Sequence, residues 1–135
     1  MNDKIFLDSN ILVNCYSTSD FNKQSVARAL AAQNNTYIST QVINETINVM
    51  SKKYQLPWID LKQLIIDFDN NFIVQQLSTE DIMYACSIAD RYQLSFFDSL
   101  ILASAIKSQC SIIYSEDMQH TQIIDKTIKI INPFV

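Results

Sequence analysis

The stretch Ser95-Phe96-Phe97-Asp98-Ser99-Leu100-Ile101-Leu102-Ala103-Ser104-Ala105 constrains the chain more than any other. Beyond Asp98 almost every side of the helix it encodes is apolar or small, so that helix must be buried against a sheet and its neighbours. Ser95 is suited to cap it, and Asp98 falls in the first turn, where a negative charge complements the helix dipole. A carboxylate at the mouth of a buried helix is costly unless another group answers it.

The remaining elements define the fold class. Ile5-Phe6-Leu7, Tyr37-Ile38-Ser39, Phe72-Ile73-Val74, Ser111 to Ser115 and Ile128 to Ile131 read as short buried strands. Between them lie helical patterns. One runs from about Lys23 to Gln33 with Val26, Ala29 and Leu30 on one face, and another from Gln41 to Tyr54 with Ile43, Ile47 and Met50 inward. A third follows Pro57 with Trp58, Leu61, Ile65 and Phe68 in register and ends at Asn70-Asn71; a fourth is capped by Thr79 with Ile82, Cys86 and Ala89 inward. A short turn of helix is expected from Asp117 to Gln122. Short apolar strands alternating with amphipathic helices predict one α/β domain over residues 1–135, with a mostly parallel central sheet covered on both faces.

Composition narrows the chemistry. The chain has no glycine, which removes the P-loop, the glycine-rich dinucleotide turn and the G-x-S-x-G nucleophile elbow. Left-handed backbone positions then fall to residues such as Asn, and Asn34-Asn35 and Asn70-Asn71 stand where turns are needed. Cys15, Cys86 and Cys110 contain no C-x-x-C pair and read as buried spectator thiols, with neither a disulfide framework nor a thiolate zinc site. No apolar run approaches a membrane span, and Asp8 interrupts the first apolar stretch, so the expectation is a cytoplasmic protein without a membrane role. The net charge of −4 argues against broad attraction to nucleic acid and leaves room for a local basic rim drawn from Lys23, Arg28, Lys52, Lys53 and Lys62. Phe96 and Phe97 read as core; Trp58, Phe68, Tyr84 and Tyr92 read as core or subunit interface.

Four carboxylates stand out by their place in this scheme. Asp8 ends the first strand, Glu45 lies on the helix after the second, Asp98 opens its own helix, and Asp117 follows the strand ending at Ser115. Ligands of open α/β sheets bind at the carboxyl ends of the strands, so the four can share one rim. Two carboxylates ~5 Å apart repel by roughly 3 kcal/mol at an effective dielectric near ~20. Protonation or divalent cations relieve such crowding, and an oxygen-only donor set suits Mg²⁺ or Mn²⁺. Each acid also has a local explanation as a cap, a helix-dipole partner or a solvated helix residue, so spacing alone leaves function open.

The sequence resembles the PIN-domain family, a metal-dependent ribonuclease fold that includes VapC-type toxins of toxin–antitoxin modules. The matching residues are Phe6-Leu7-Asp8-Ser9-Asn10-Ile11-Leu12, Ser39 to Glu45, Phe97-Asp98-Ser99-Leu100-Ile101-Leu102-Ala103-Ser104-Ala105, and Ile113-Tyr114-Ser115-Glu116-Asp117. The resemblance covers essentially the whole chain and implies a three-layer α/β/α domain. It also implies that Asp8, Glu45, Asp98 and Asp117 hold Mg²⁺ or Mn²⁺ for RNA hydrolysis, with Asn10 and Ser115 as nearby polar positions and Glu116 as the competing choice beside Asp117. An RNA substrate, a cognate antitoxin and a homodimer belong to the same expectation. Departures are Gln109-Cys110 where relatives often carry a small residue, Ser115 in place of Thr, and His120 near a frequent aromatic, which is read as packing. Two alternatives stand beside it: a non-catalytic PIN-like binding module, and a haloacid-dehalogenase-like phosphohydrolase with Asp8 as nucleophile, in which Asn10 would replace the second Asp.

Overall fold

A computed structural model describes residues 3–135. The chain runs β1 (Ile5–Leu7), α1 (Ser9–Asn14), α2 (Phe21–Ala31), β2 (Thr36–Ser39), α3 (Thr40–Lys52), α4 (Trp58–Asn71), β3 (Ile73–Gln75), α5 (Thr79–Tyr92), α6 (Phe96–Lys107), β4 (Ile112–Tyr114), β5 (Ile123–Ile124) and β6 (Ile128–Ile131). The six strands form one sheet in the order β3-β2-β1-β4-β6-β5, parallel except where β5 pairs antiparallel with β6. Helices cover both faces in three α/β/α layers.

The central strand explains the rest. All three residues of β1 are buried, with Phe6 and Leu7 fully inaccessible, as expected for a strand covered on both faces. Phe6 aligns with Ile113 of β4 on one side and Tyr37 of β2 on the other. Connections from β1 lead towards β2, whereas those from β4 lead towards β6, so the chain leaves the carboxyl ends of these two paired strands in opposite directions. Connections that part in this way leave the crevice where α/β sheets take ligands.

Helix α6 is buried without interruption from Ser99 to Ala105, as its sequence demands. Its hydroxyls are satisfied internally: Ser99 Oγ donates to the Ser95 carbonyl at 2.8 Å and Ser104 Oγ to the Leu100 carbonyl at 3.0 Å. No helix is long and apolar enough to cross a membrane among the described residues.

Several local expectations are corrected. Ser78, not Thr79, caps α5, because its hydroxyl and the Asp81 carboxylate close a reciprocal capping box. The buried face of α5 is Ala85 and Ile88, while Ile82 and Cys86 are exposed. Phe96 and Phe97 are 43% and 60% exposed, standing before the point where α6 enters the core, and Trp58 is 69% exposed at the start of α4. Helix α2 begins earlier than expected, capped by Asp20, and buries Ala27 and Leu30 in place of Val26 and Ala29. Residues 117 to 122 form bends and turns instead of helix, followed by the unforeseen strand β5. His120 is exposed, and its Nδ1 accepts a hydrogen bond from the Asn132 amide at 2.9 Å.

Glycine's usual positions are taken by larger residues. Among the described residues Asn35, Gln55, Gln93, Gln109, Thr121, Asp125 and Lys126 have positive φ, Gln93 as the left-handed cap of α5. Asn71, expected in a turn, completes α4 instead.

Two outcomes follow. Truncating fully buried Ile101 to Ala lowers the unfolding free energy by about 2–5 kcal/mol, measured by urea denaturation. In the native protein an aromatic disulfide reagent titrates Cys86 alone, since Cys15 and Cys110 are buried, their thiols pushed up to about 11 and about 12 by desolvation; all three react after unfolding.

Candidate active site

Asp8 leaves β1 directly into α1 and caps that helix, yet it is only 3% exposed. A buried carboxylate requires donors, and Ser9, Asn10 and Ser115 supply them. The Ser9 amide donates to Oδ1 at 2.7 Å, and Oδ2 accepts from Ser115 Oγ at 2.7 Å and Asn10 Nδ2 at 3.2 Å. The Asp8 amide itself donates to the Tyr114 carbonyl at 3.0 Å, so the ends of β1 and β4 are joined through backbone and side chain together.

Asn10 extends the junction. Its Oδ1 accepts from the Glu116 amide at 3.0 Å, and its Nδ2 also reaches Asp117 Oδ2 at 3.2 Å. Fully buried Ser115 completes the loop, accepting from the amides of Asp117 and Met118, both at 3.3 Å. Asp117 is thereby held beside Asp8 while itself remaining exposed. Glu45, on the inner part of α3, is half-buried and accepts from Gln41 Nε2 at 3.1 Å. Asp98 stands in the first turn of α6, where its amide donates to the capping Ser95 Oγ at 3.1 Å.

The electrostatics tie the four acids together. Burial pushes the Asp8 carboxyl above the usual carboxylate range; the bonds from Ser115 and Ser9 oppose this, and the charges of Asp98 and Asp117 add to it. Glu45 is raised first by burial and further by Asp8, Asp98 and Asp117, against the Gln41 bond. Burial also raises Asp98, with Asp117 adding to it and Ser95 opposing. The sequence-predicted acids thus share one end of the sheet and one field. Among the described residues, however, no three carboxylate, imidazole or thiolate groups converge into a ready-made ion-binding cluster.

A cleft of about 590 Å³ opens beside this rim, lined among others by Asn10, Lys23, Glu45, Asn48, Lys53 and Asp117. Of the cations foreseen from sequence, Lys23 and Lys53 line it; Arg28 instead donates Nε–H to the Cys15 carbonyl at 2.9 Å, outside it. Glu116 and Asp117, adjacent in sequence, are separated in role: Glu116 accepts from Asn14 Nδ2 at 3.0 Å and forms an ion pair with Lys23. Asn14 was not foreseen. Its spacing of four from Asn10 on one helix was the available signal.

Oxygen-only donors around a crowded anionic rim fit a hard divalent cation, which needs few carboxylates when water completes its coordination. Asp8, Glu45, Asp98 and Asp117 are the residues that could supply its protein ligands.

A parallel α/β sheet with an acidic rim at its switch point defines the class. The chain belongs to the PIN-domain family, whose model matches residues 5–125. Its fold is similar to that of a chain from a toxin–antitoxin complex of Klebsiella pneumoniae, at 18% identity and a TM-score of 0.70, covering 96% of this chain and 98% of that one. It is also similar to Mycobacterium tuberculosis VapC20, a Sarcin-Ricin loop cleaving toxin, at 17% identity, a TM-score of 0.68 and coverage of 82% and 87%. A third similar structure is VapBC2 from Rickettsia felis bound to a promoter DNA fragment, at 18% identity, a TM-score of 0.65 and coverage of 93% and 96%. No curated protein matches the sequence.

Raised carboxyl pKa values have a stability consequence whose sign is fixed. Ionising Asp8, Glu45 and Asp98 costs more in the folded state than in the unfolded chain, so their protonation favours folding. Without divalent cations, melting temperature therefore rises as pH falls from 7 towards the region just above the ordinary carboxylate value of about 4. Asp81 and Asp125, whose values are lowered by their partners, contribute stability that is lost only at lower pH. Asp98→Asn raises the melting temperature at pH 7 and flattens the rise.

Proposed function

We propose that this protein is a metal-dependent endoribonuclease of the VapC type, hydrolysing RNA phosphodiester bonds at the rim formed by Asp8, Glu45, Asp98 and Asp117. The observation that supports the reading is the shared field at the carboxyl end of the β1/β4 switch point, where burial raises the carboxyls of Asp8, Glu45 and Asp98 above the usual range and the charges of neighbouring acids add to it. Nothing in a purely structural role requires so much negative charge at one sheet end, and burial of Asp8 makes it more costly still.

In this reading the four carboxylates would hold Mg²⁺ or Mn²⁺, which when bound supplies Lewis-acid stabilisation of phosphate charge and a more acidic water. The chain's own groups prepare the site. Ser115 and the Ser9 amide fix the orientation of Asp8, Asn10 spans Asp8 and Asp117, and Gln41 steadies Glu45. The cleft of about 590 Å³ beside them would receive the RNA strand in this reading.

Structural relatives that occur as toxin–antitoxin complexes support assigning the chain an antitoxin partner. We extend the reading to a homodimer acting on cytoplasmic RNA. The experiment is cleavage of a mixed panel of structured and single-stranded RNAs in Mg²⁺, Mn²⁺ or EDTA. Wild type cleaves in either metal and not in EDTA, whereas Asp8→Asn and Asp98→Asn, folded by circular dichroism, lose about 100-fold or more of the rate. Equal cleavage by all three proteins refutes the site. Folded wild type that binds neither metal and cleaves nothing is the binding module, and an aspartyl-phosphate trapped at Asp8 is the phosphohydrolase.

A further inference from the structure

Glu116 and Asp117 are neighbouring acids with different partners. Both carboxylate oxygens of Glu116 are engaged, Oε2 by Asn14 Nδ2 at 3.0 Å and Oε1 by the Lys23 ammonium, and its amide is fixed by Asn10 Oδ1 at 3.0 Å. Asp117 accepts only at Oδ2, from Asn10, leaving Oδ1 without a partner among the described residues. An ion-paired and doubly bonded carboxylate is a poor candidate for a cation; the unneutralised one beside it is the better.

Lys23 is correspondingly well placed. It lies in the first turn of α2, its backbone amide held by the Asp20 cap at 3.0 Å, and its ammonium sits 5.4 Å from the centre of the Phe134 ring. Glu116 directs that ammonium into the cleft wall, one residue from Asp117 and near enough to feel the Asp117 charge. Its side chain remains 35% exposed, so donors not used by Glu116 stay accessible. Lys53, the other cation lining the cleft, lies at the carboxyl end of α3 over the Tyr54 ring, where it answers the helix dipole.

A phosphodiester approaching four carboxylates meets repulsion that a protein cation must help offset, above all in a chain with net charge −4. We propose that Lys23 grips a substrate phosphate beside the acidic rim, and that Glu116, steadied by Asn14 and Asn10, is its positioning residue and not a cation ligand. The proposal rests on the nuclease reading above for the identity of the substrate, but the contact itself is open to an independent test. An ion pair this accessible contributes little to folding, so its removal leaves a folded protein.

The test is equilibrium binding of a short, fluorescently labelled single-stranded RNA of random sequence, in Ca²⁺ and over a series of salt concentrations. Lys23→Gln weakens binding about tenfold and reduces the magnitude of the log Kd against log salt slope by about 0.7, the signature of one lost phosphate contact. Lys23→Arg retains both values. In the Glu116→Gln background the effect of Lys23→Gln shrinks at least to about a third, because the two residues act as one unit. Mn²⁺ affinity is unchanged in Glu116→Gln and reduced in Asp117→Asn.

Unchanged affinity and slope in Lys23→Gln, or no binding of the probe by wild type, overturns the proposal. An equal Lys23→Gln effect in both backgrounds, or loss of Mn²⁺ affinity in Glu116→Gln, overturns the role of Glu116. Cleavage separates this failure from that of the broader reading. Wild type that cleaves with Lys23→Gln indistinguishable from it defeats the Lys23 contact alone; wild type that binds through Lys23 and cleaves nothing defeats the nuclease alone.

Discussion

A carboxylate only 3% exposed at the end of the central strand sets the terms for the rest of this protein. Burying Asp8 carries a desolvation penalty that only closely fitted donors offset, and those donors come from two directions. Ser9 and Asn10 arrive with the turn into α1, while Ser115 arrives from the far end of β4, more than a hundred residues away in the chain. The parallel β1/β4 pairing is therefore both a matter of apolar burial and the means by which one acid obtains a hydroxyl partner. Once that pairing is in place, the loop after β4 has little choice, since Ser115 and Asn10 hold the backbone amides of residues 116 to 118.

The same junction sorts charge. Asn10 uses its carbonyl to hold the backbone of Glu116 and its amide to reach Asp8 and Asp117, so one neutral side chain sets the spacing of two acids without cancelling either. Cancellation is confined to Glu116, through Lys23. The rim keeps its negative field while the cleft wall beside it carries a neutralised Lys23–Glu116 pair. Folding stability is lowered by this field, a pattern expected where function and not packing selects the residues.

How much of this was legible in the sequence follows from which forces act locally. The strands around Phe6 and Ile113 are legible because a doubly covered strand carries an unbroken apolar run, and α6 because its apolar surface is continuous. Topology allows the four acids to share one rim, and strand ends locate Asp8 and Asp117 on it. Helix ends and faces are less legible: Asp81 at the third helical position marks Ser78 as the cap of α5, and the packing of that helix buries Ala85 and Ile88 while Cys86 faces outward. Phe96 and Phe97 were assigned to the core by hydrophobicity, which does not register that the first turn of α6 lies outside it. The Lys23–Glu116 pair and the two-residue strand β5 rest on contacts between distant segments, which no local pattern encodes.

The sheet is bounded by β3, three residues long, and β5, two residues long. Unpaired strand edges are the usual templates for intermolecular pairing, and edges this short offer too few consecutive amides and carbonyls to hold another chain in register. The antiparallel turn from β5 into β6 closes one side further, since it ends the parallel pattern that a like strand would have to continue. Association by this protein is thereby channelled away from backbone addition and onto its helices and loops, where side-chain identity decides which partner fits. A chain whose strands cannot readily extend one another is free to expose residues such as Trp58 and Phe97 on its surface with less risk of indiscriminate assembly.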